Sequence, residues 1–331
     1  MLKTKAQNLK SLSHKNLSQV ELTFNSNDDL NTLLGENSKN IDKLNEIIDV
    51  EISFFGNKLL IVGNKHNVEL AEDLINKVYD ILLLNKNNVQ SIDFSIFESE
   101  YKMLKNKNSV DTSSKVLNSI DTWKKTIYPK SDGQNKYIQA VNDYDVIFGL
   151  GPAGTGKSYL AVAKAVQSLK KGLIDKIILS RPAVEAGENL GFLPGDMKDK
   201  VDPYLRPIYD ALYEMMPFET VEKKIQEGII EIAPVAFMRG RTFKNSFIII
   251  DEAQNTSSIQ MKMILTRLGY GSKMIINGDL TQIDIKYIND SGLSTAKKKL
   301  SNLKTIKFIN LNKKDVVRHK IVSEIISAYE K

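Results

Sequence analysis

Val146-Ile147-Phe148-Gly149-Leu150-Gly151-Pro152-Ala153-Gly154-Thr155-Gly156-Lys157-Ser158 is the stretch on which the fold turns. From Gly151 to Ser158 it fits G-x-x-x-x-G-K-[ST], the phosphate-binding P-loop pattern. Each residue type has a task. The glycines let the backbone wrap so that N–H groups point at phosphate oxygens. Lys157 puts a point charge beside the β- and γ-phosphates, and Ser158 offers a hydroxyl to Mg²⁺. Apolar Val146-Ile147-Phe148 predicts a strand before the loop. Leu160, Val162, Ala165, Val166 and Leu169 predict a helix after it, whose positive N-terminal end would face the same anion. The expected cradle is Gly151, Pro152, Ala153, Gly154, Thr155, Gly156, Lys157 and Ser158, holding ATP with Mg²⁺.

Two further sites lie downstream. Phe247-Ile248-Ile249-Ile250 reads as a buried parallel strand ending in Asp251-Glu252-Ala253-Gln254. Asp251 is placed to hold Mg²⁺ together with Ser158, and Glu252 to orient or deprotonate the attacking water. Such a pair marks phosphoryl transfer to water. Met274-Ile275-Ile276-Asn277 is another strand, followed by Gly278-Asp279-Leu280-Thr281-Gln282, where Asp279 and Gln282 could sense the γ-phosphate. Strands are expected at 145–149, 175–180, 229–233, 246–250, 273–277 and 305–310, alternating with helices. That alternation predicts an α/β domain with a mostly parallel sheet. Asn312-Lys313-Lys314-Asp315 fits the guanine-reading N-K-x-D. In so Asn- and Lys-rich a chain the match is cheap, and no D-x-x-G accompanies it at the magnesium strand, so ATP is the expected nucleotide. Gln134 resembles the adenine-reading glutamine of helicase-type ATPases.

Upstream, residues 1–18 read as a loose tail. Residues 19–85 follow the order strand, helix, helix, strand, strand, helix, with strands at 20–24, 51–55 and 58–62 and helices near 30–34, 41–48 and 67–84. This resembles a KH-type RNA-binding module, whose Gly-x-x-Gly loop clamps a nucleic-acid backbone. The corresponding loop is Gly35-Glu36-Asn37-Ser38, which lacks the second glycine and carries an acid. A module that only packs or mediates assembly is the alternative. Residues 86–128 read as a linker with one helix near 92–104, tightening near Ile120–Pro129, and 129–331 as the ATPase domain.

Composition bounds the chemistry. The chain has 331 residues, 42% hydrophobic and 26% charged, enough for about two globular domains. It has no cysteine, which excludes disulfides, thiolate metal sites and cysteine nucleophiles. Its three histidines, His14, His66 and His319, are scattered. No apolar run nears the roughly 20 residues that span a bilayer, and no signal-peptide h-region follows the basic N-terminus. A soluble, cytoplasmic protein without membrane partners is expected. The net charge of +6 permits a polyanionic partner without demanding one.

The longer signatures carry a resemblance. Arg181-Pro182-Ala183-Val184-Glu185-Ala186-Gly187-Glu188, Leu190-Gly191-Phe192-Leu193-Pro194-Gly195-Asp196, Asp202-Pro203-Tyr204-Leu205-Arg206-Pro207, Met238-Arg239-Gly240-Arg241-Thr242 and Val316-Val317-Arg318-His319 are similar to the PhoH family. The resemblance covers the chain from Pro129 onward and, more loosely, 20–84. It implies a cytoplasmic P-loop ATPase with a RecA-like, superfamily 1 helicase-like domain, linked to RNA metabolism. Single-stranded or structured RNA, an RNA-processing protein partner and a ring-like homo-oligomer are the implied partners. One branch of the family carries an N-terminal nuclease; the KH-like module stands there instead, so no nuclease activity is expected.

By the same resemblance Lys157, Ser158, Asp251 and Glu252 keep their ATPase roles. Gln282 takes the place of the γ-phosphate glutamine, and Arg181 that of a residue touching single strands. After the strand at 305–310 too little chain remains for a second motor lobe of roughly 150 residues. An arginine finger must then come from the C-terminal segment or a neighbouring copy, with Arg318, Arg239, Arg241 and Arg267 as candidates. An ATPase acting on RNA is the leading reading. Its rivals are a nucleotide-gated assembly protein with little turnover and a small-molecule kinase.

Overall fold

The computed structural model describes residues 17–84, 92–105, 118–182, 197–232, 234–283, 291–318 and 321, 322, 325 and 328. The chain forms two compact units, Met1–Lys115 and Val116–Lys331.

In the first unit β1 (Leu17–Thr23), α1 (Asn27–Leu34), α2 (Lys39–Ile48), β2 (Glu51–Phe55), β3 (Lys58–Asn64) and α3 (Lys65–Leu84) follow the expected order, and α4 (Phe94–Lys105) packs on α3. The three strands form an antiparallel sheet in the order β1-β3-β2. β1 starts at Leu17, inside the expected tail, because its polar Ser18 and Gln19 pair with Gly63 and Val62. Between α1 and α2, Gly35, Asn37 and Ser38 all take positive φ (72°, 53° and 57°). Asn40 Nδ2 closes this corner by donating to the carbonyls of Leu33 and Ile92, both at 2.9 Å.

The second unit opens with a two-strand hairpin, β4 (Ile120–Asp121) and β5 (Thr126–Ile127). Ile120 and Ile127 belong to the main core of this unit, so part of the stretch expected as linker is structural here. Next come α5 (Asp132–Asp143), β6 (Val146–Leu150), α6 (Lys157–Lys170), β7 (Lys176–Ser180), α7 (Met197–Met215), α8 (Phe218–Gln226), β8 (Ile230–Ile232), β9 (Ser246–Ile250), α9 (Ser258–Leu265), β10 (Lys273–Gly278), α10 (Gly292–Leu300) and β11 (Ile306–Asn310). Six strands form one parallel sheet in the order β11-β6-β10-β9-β7-β8.

Alternation along the strands builds a core on each sheet face. Ile147, Ile177, Phe247, Ile249 and Ile275 pack with α5, α6 and α7; Phe148, Ile178, Ile248, Ile250 and Ile276 pack with α9 and α10. Phe148 and Phe308 stack at 4.4 Å between centroids. Because β10 lies between β6 and β9, the ends of three strands converge beside the P-loop. In such a sheet ligands gather at the carboxyl ends of the strands. No helix among the described residues is long and apolar enough to cross a membrane.

Candidate nucleotide site

The P-loop leaves β6 through Gly151 (φ 149°), Gly154 (φ 82°) and Gly156 (φ 81°), and Lys157 opens α6. Gly151 presses on the Leu311 carbonyl, and a side chain there would collide with it. Lys157 Nζ donates to the carbonyls of Gly151 (2.7 Å) and Pro152 (2.9 Å) and to Thr155 Oγ1 (3.3 Å). Burial lowers its pKa, while Asp251, Asp279 and Glu252 pull the other way.

Asp251 lies at the end of β9, buried, and accepts the Ser158 hydroxyl at 2.6 Å. Burial holds its carboxyl above the usual range; the Ser158 hydrogen bond opposes this and the Glu252 charge adds to it. Consecutive strand residues point to opposite faces, yet Glu252 also reaches the cleft. It does so because its backbone leaves the strand with φ 51° and ψ 39°, a left-handed conformation rare for a non-glycine residue. Both Glu252 carboxylate oxygens are held: Arg181 Nη2 is 3.1 Å from Oε1, and Gln254 Nε2 is 2.7 Å from Oε2.

Gln254 is the residue that the sequence reading leaves without a role. It is buried, and its Oε1 accepts the Asp279 backbone N–H at 3.1 Å. Its carboxamide therefore ties Glu252 to the loop after β10. Its place in Asp-Glu-Ala-Gln was the available signal. Asp279 Oδ1 accepts the N–H and hydroxyl of Thr281, and Gln282 stands exposed at the cleft edge. Below the loop, buried Tyr137 donates to Asn277 Oδ1 at 2.8 Å.

The cleft has a volume of about 420 Å³. The P-loop floors it; Asp251, Glu252, Asp279 and Gln282 form one wall, and Pro207, Asp210, Ala211 and Glu214 of α7 another. Tyr159 and Lys125 both donate to Glu214 Oε2, at 3.0 and 2.7 Å. Among the described residues, the buried polar side-chain atoms without a partner are Ser180 Oγ, Asn277 Nδ2 and Asp279 Oδ2, all at strand ends on this side of the sheet. Such atoms mark a place built for polar company.

Gln134 lies behind the P-loop. Its Oε1 accepts the Lys130 N–H (2.6 Å) and its Nε2 donates to the Thr155 carbonyl (2.9 Å). The segment after β11 returns to the same place. Val317 N–H donates to the Gly154 carbonyl at 2.9 Å, and a methyl group at Gly154 would collide with the Arg318 guanidinium. Arg318 is thus brought to the P-loop of its own chain. Arg241 pairs bidentately with Glu231, and Arg267 donates to the Arg241 and Met263 carbonyls. Arg239 is exposed. His319 and residues 183–196 lie outside the described residues.

The N-K-x-D match is accounted for structurally. Asp315 is buried; its Oδ1 accepts the Ser131 hydroxyl (2.6 Å) and Gly133 N–H (3.2 Å), and its Oδ2 the Asn312 N–H (2.8 Å). The carboxylate that would read guanine is spent on the start of α5. Asp315→Ala should strand these donors and cost about 2–3 kcal/mol of stability, read from urea unfolding of the second unit.

Sheet order and cradle together define an α/β fold of the P-loop NTPase type. The chain belongs to the PhoH-like protein family, whose profile matches residues 126–330. It is 43% identical to a PhoH-like protein of Bacillus subtilis (strain 168), over 92% of this chain and 95% of that one. It is 44% identical to a PhoH-like protein of Mycobacterium tuberculosis (strain ATCC 25618 / H37Rv), over 90% and 84%. The Pif1 helicase of Candida albicans matches at 16% identity and a TM-score of 0.31, over 60% of this chain and 43% of that one, too distant to bear on function.

Proposed function

We propose that the chain is a Mg²⁺-dependent ATP hydrolase whose nucleotide cycle is coupled to RNA. The observation carrying the reading is the Ser158 hydroxyl at 2.6 Å from buried Asp251, beside Glu252, in a cleft floored by a P-loop. These two oxygen donors suit a hard divalent cation, and its charge would offset what burial makes costly for Asp251. When bound, Mg²⁺ supplies charge neutralisation across the β- and γ-phosphates.

The chain's own groups divide the remaining work. P-loop N–H groups from Gly151 to Ser158 cradle the phosphates, and Lys157 exchanges loop carbonyls for phosphate oxygens. Glu252 takes the proton of a water whose oxygen bonds to the γ-phosphorus as the bond to the β-bridging oxygen breaks. Gln282 reads the γ-phosphate and Arg318 stabilises the developing charge. Gln134 braces the loop through the Thr155 carbonyl, next to where the base would lie.

The RNA half is supported by the PhoH resemblance and the KH-like order of the first unit. Ser38 holds the left-handed backbone that a glycine would favour in the loop. Cytoplasmic action, a ring-like homo-oligomer and an RNA-processing protein partner belong to the same reading. A nucleotide-gated assembly role is the second reading, and the occupation of both Glu252 oxygens by Arg181 and Gln254 favours it.

Steady-state ATP hydrolysis with Mg²⁺, titrated with single-stranded RNA at moderate salt, separates the two. Several-fold stimulation is expected. Hydrolysis that ignores RNA would move the function to nucleotide-gated assembly.

A further inference from the structure

Among the described residues, acidic and basic side chains are unevenly distributed over the second unit. The cleft gathers Asp210, Glu214, Asp251, Glu252 and Asp279 at the carboxyl ends of the strands. At the opposite end, beneath β6, β10 and β11, lysines dominate. Lys273 opens β10, Lys304 precedes β11 and Lys307 is the second residue of that strand, while Lys297, Lys298 and Lys299 form the last turn of α10. From Ser291 to Lys314 the chain has no Asp or Glu.

Lysine-rich composition does not explain this. The α7–α8 stretch of the same chain carries Asp202, Asp210, Glu214, Glu219, Glu222 and Glu227 among its lysines. Completion of the α10 dipole accounts for a cation or two at its end, but not for Lys304 and Lys307 beyond it.

Buried Lys164 on α6 has a pKa lowered to about 8, first by burial and then by the charges of Lys171 and Lys273. Acids at this end include Asp143 and Asp145, with Asp145 Oδ1 4.0 Å from Lys273 Nζ, and Asp175, which accepts Asn245 Nδ2 next to Tyr270. Lys298, Lys299 and Lys304 are exposed. Aromatic surface lies at the same end. Tyr270, three residues before β10, is 91% exposed, and Lys307 Nζ sits 5.5 Å from the centre of the Tyr144 ring.

We infer that this end of the second unit is a binding surface for single-stranded RNA, separate from the nucleotide cleft. The lysines would take the phosphodiester backbone, and Tyr270 would stack a base. Exposed lysines suit a phosphodiester backbone, and an exposed ring at the same end of the sheet suits a strand whose bases are free, not a closed duplex. The inference rests on the RNA half of the proposed function and gives it an address.

The test uses the full chain and a short fluorescent oligouridylate. Lys298→Glu, Lys299→Glu and Lys304→Glu combined should weaken binding at least tenfold at low salt. Plots of log affinity against log salt should flatten by about 0.7 for each phosphate that the variant no longer neutralises. Tyr270→Ala should weaken binding several-fold with little change in that slope. ATP affinity, basal hydrolysis and thermal unfolding should stay at parental values, since these residues lie away from the cleft. If the parent binds and the triple variant binds equally with the same slope, the surface assignment is overturned while RNA coupling stands. If the parent does not bind, both fall. If duplex RNA or anionic vesicles compete as well as the single strand, the commitment to single-stranded RNA is overturned.

Discussion

Glu252→Gln is expected to leave ATP binding within a few-fold of the parent and to lower turnover about 10²–10⁴-fold, the usual range for removal of a general base. Binding should survive because the phosphates are held by the P-loop and Lys157. The substituted carboxamide keeps size and shape but cannot take a proton from water. It also gives up the ionic partner of Arg181, held at 3.1 Å in the parent, so some rearrangement of Arg181 accompanies the change. Single-turnover hydrolysis with excess protein, beside equilibrium binding of a fluorescent ATP analogue, reads the two effects separately. Lys157→Ala is the contrasting control, because it should lose the binding itself. A glutamine variant that turns over at the parental rate would remove Glu252 from the chemistry.

The parts that could be read from sequence are local ones. β9 and β10 are buried on both faces, so they appear as unbroken apolar runs, Phe247–Ile250 and Met274–Ile276. The P-loop and Asp251-Glu252 are contiguous, and their residue types are dictated by phosphate and cation chemistry. The β4–β5 hairpin was not legible, since strands of two residues show no period. Nor was α7, whose Pro203 and Pro207 argue against a helix interior yet lie inside one. Long-range polar ties were the least accessible. Arg181 meets Glu252 across 71 residues, Asp279 meets Gln254 across 25, and Ser131 meets Asp315 across 184. No periodicity encodes such pairs. The fold supplies the first two by bringing the ends of β7, β9 and β10 side by side, and those two decide how Glu252 and the loop of Asp279 are held.

Arg318→Ala is the second large expected effect. An arginine that stabilises a transferring phosphoryl group is worth about 10³–10⁵ in turnover whether it acts in cis or in trans. Here Arg318 lies beside the P-loop of its own chain. Leu311 N–H bonds to the Leu150 carbonyl at 2.7 Å, Asp315 anchors to Ser131 and Gly133, and Val317 N–H reaches the Gly154 carbonyl at 2.9 Å. These ties deliver the Arg318 guanidinium to the one P-loop glycine where a side chain would exclude it. Turnover should therefore fall by about 10³ with ATP affinity changed only a few-fold. Arg318→Lys should recover little, because an ammonium lacks the planar fork of a guanidinium. Mixing separates cis from trans. If Arg318 serves its own P-loop, combining Arg318→Ala with Lys157→Ala restores nothing, since no subunit then holds both residues. If it serves a neighbour in a ring, the Lys157→Ala subunits donate intact arginines to Arg318→Ala sites and activity returns in the mixture. The backbone ties from Leu311 to Val317 argue for the first outcome, and recovery on mixing would assign the arginine to the neighbouring copy.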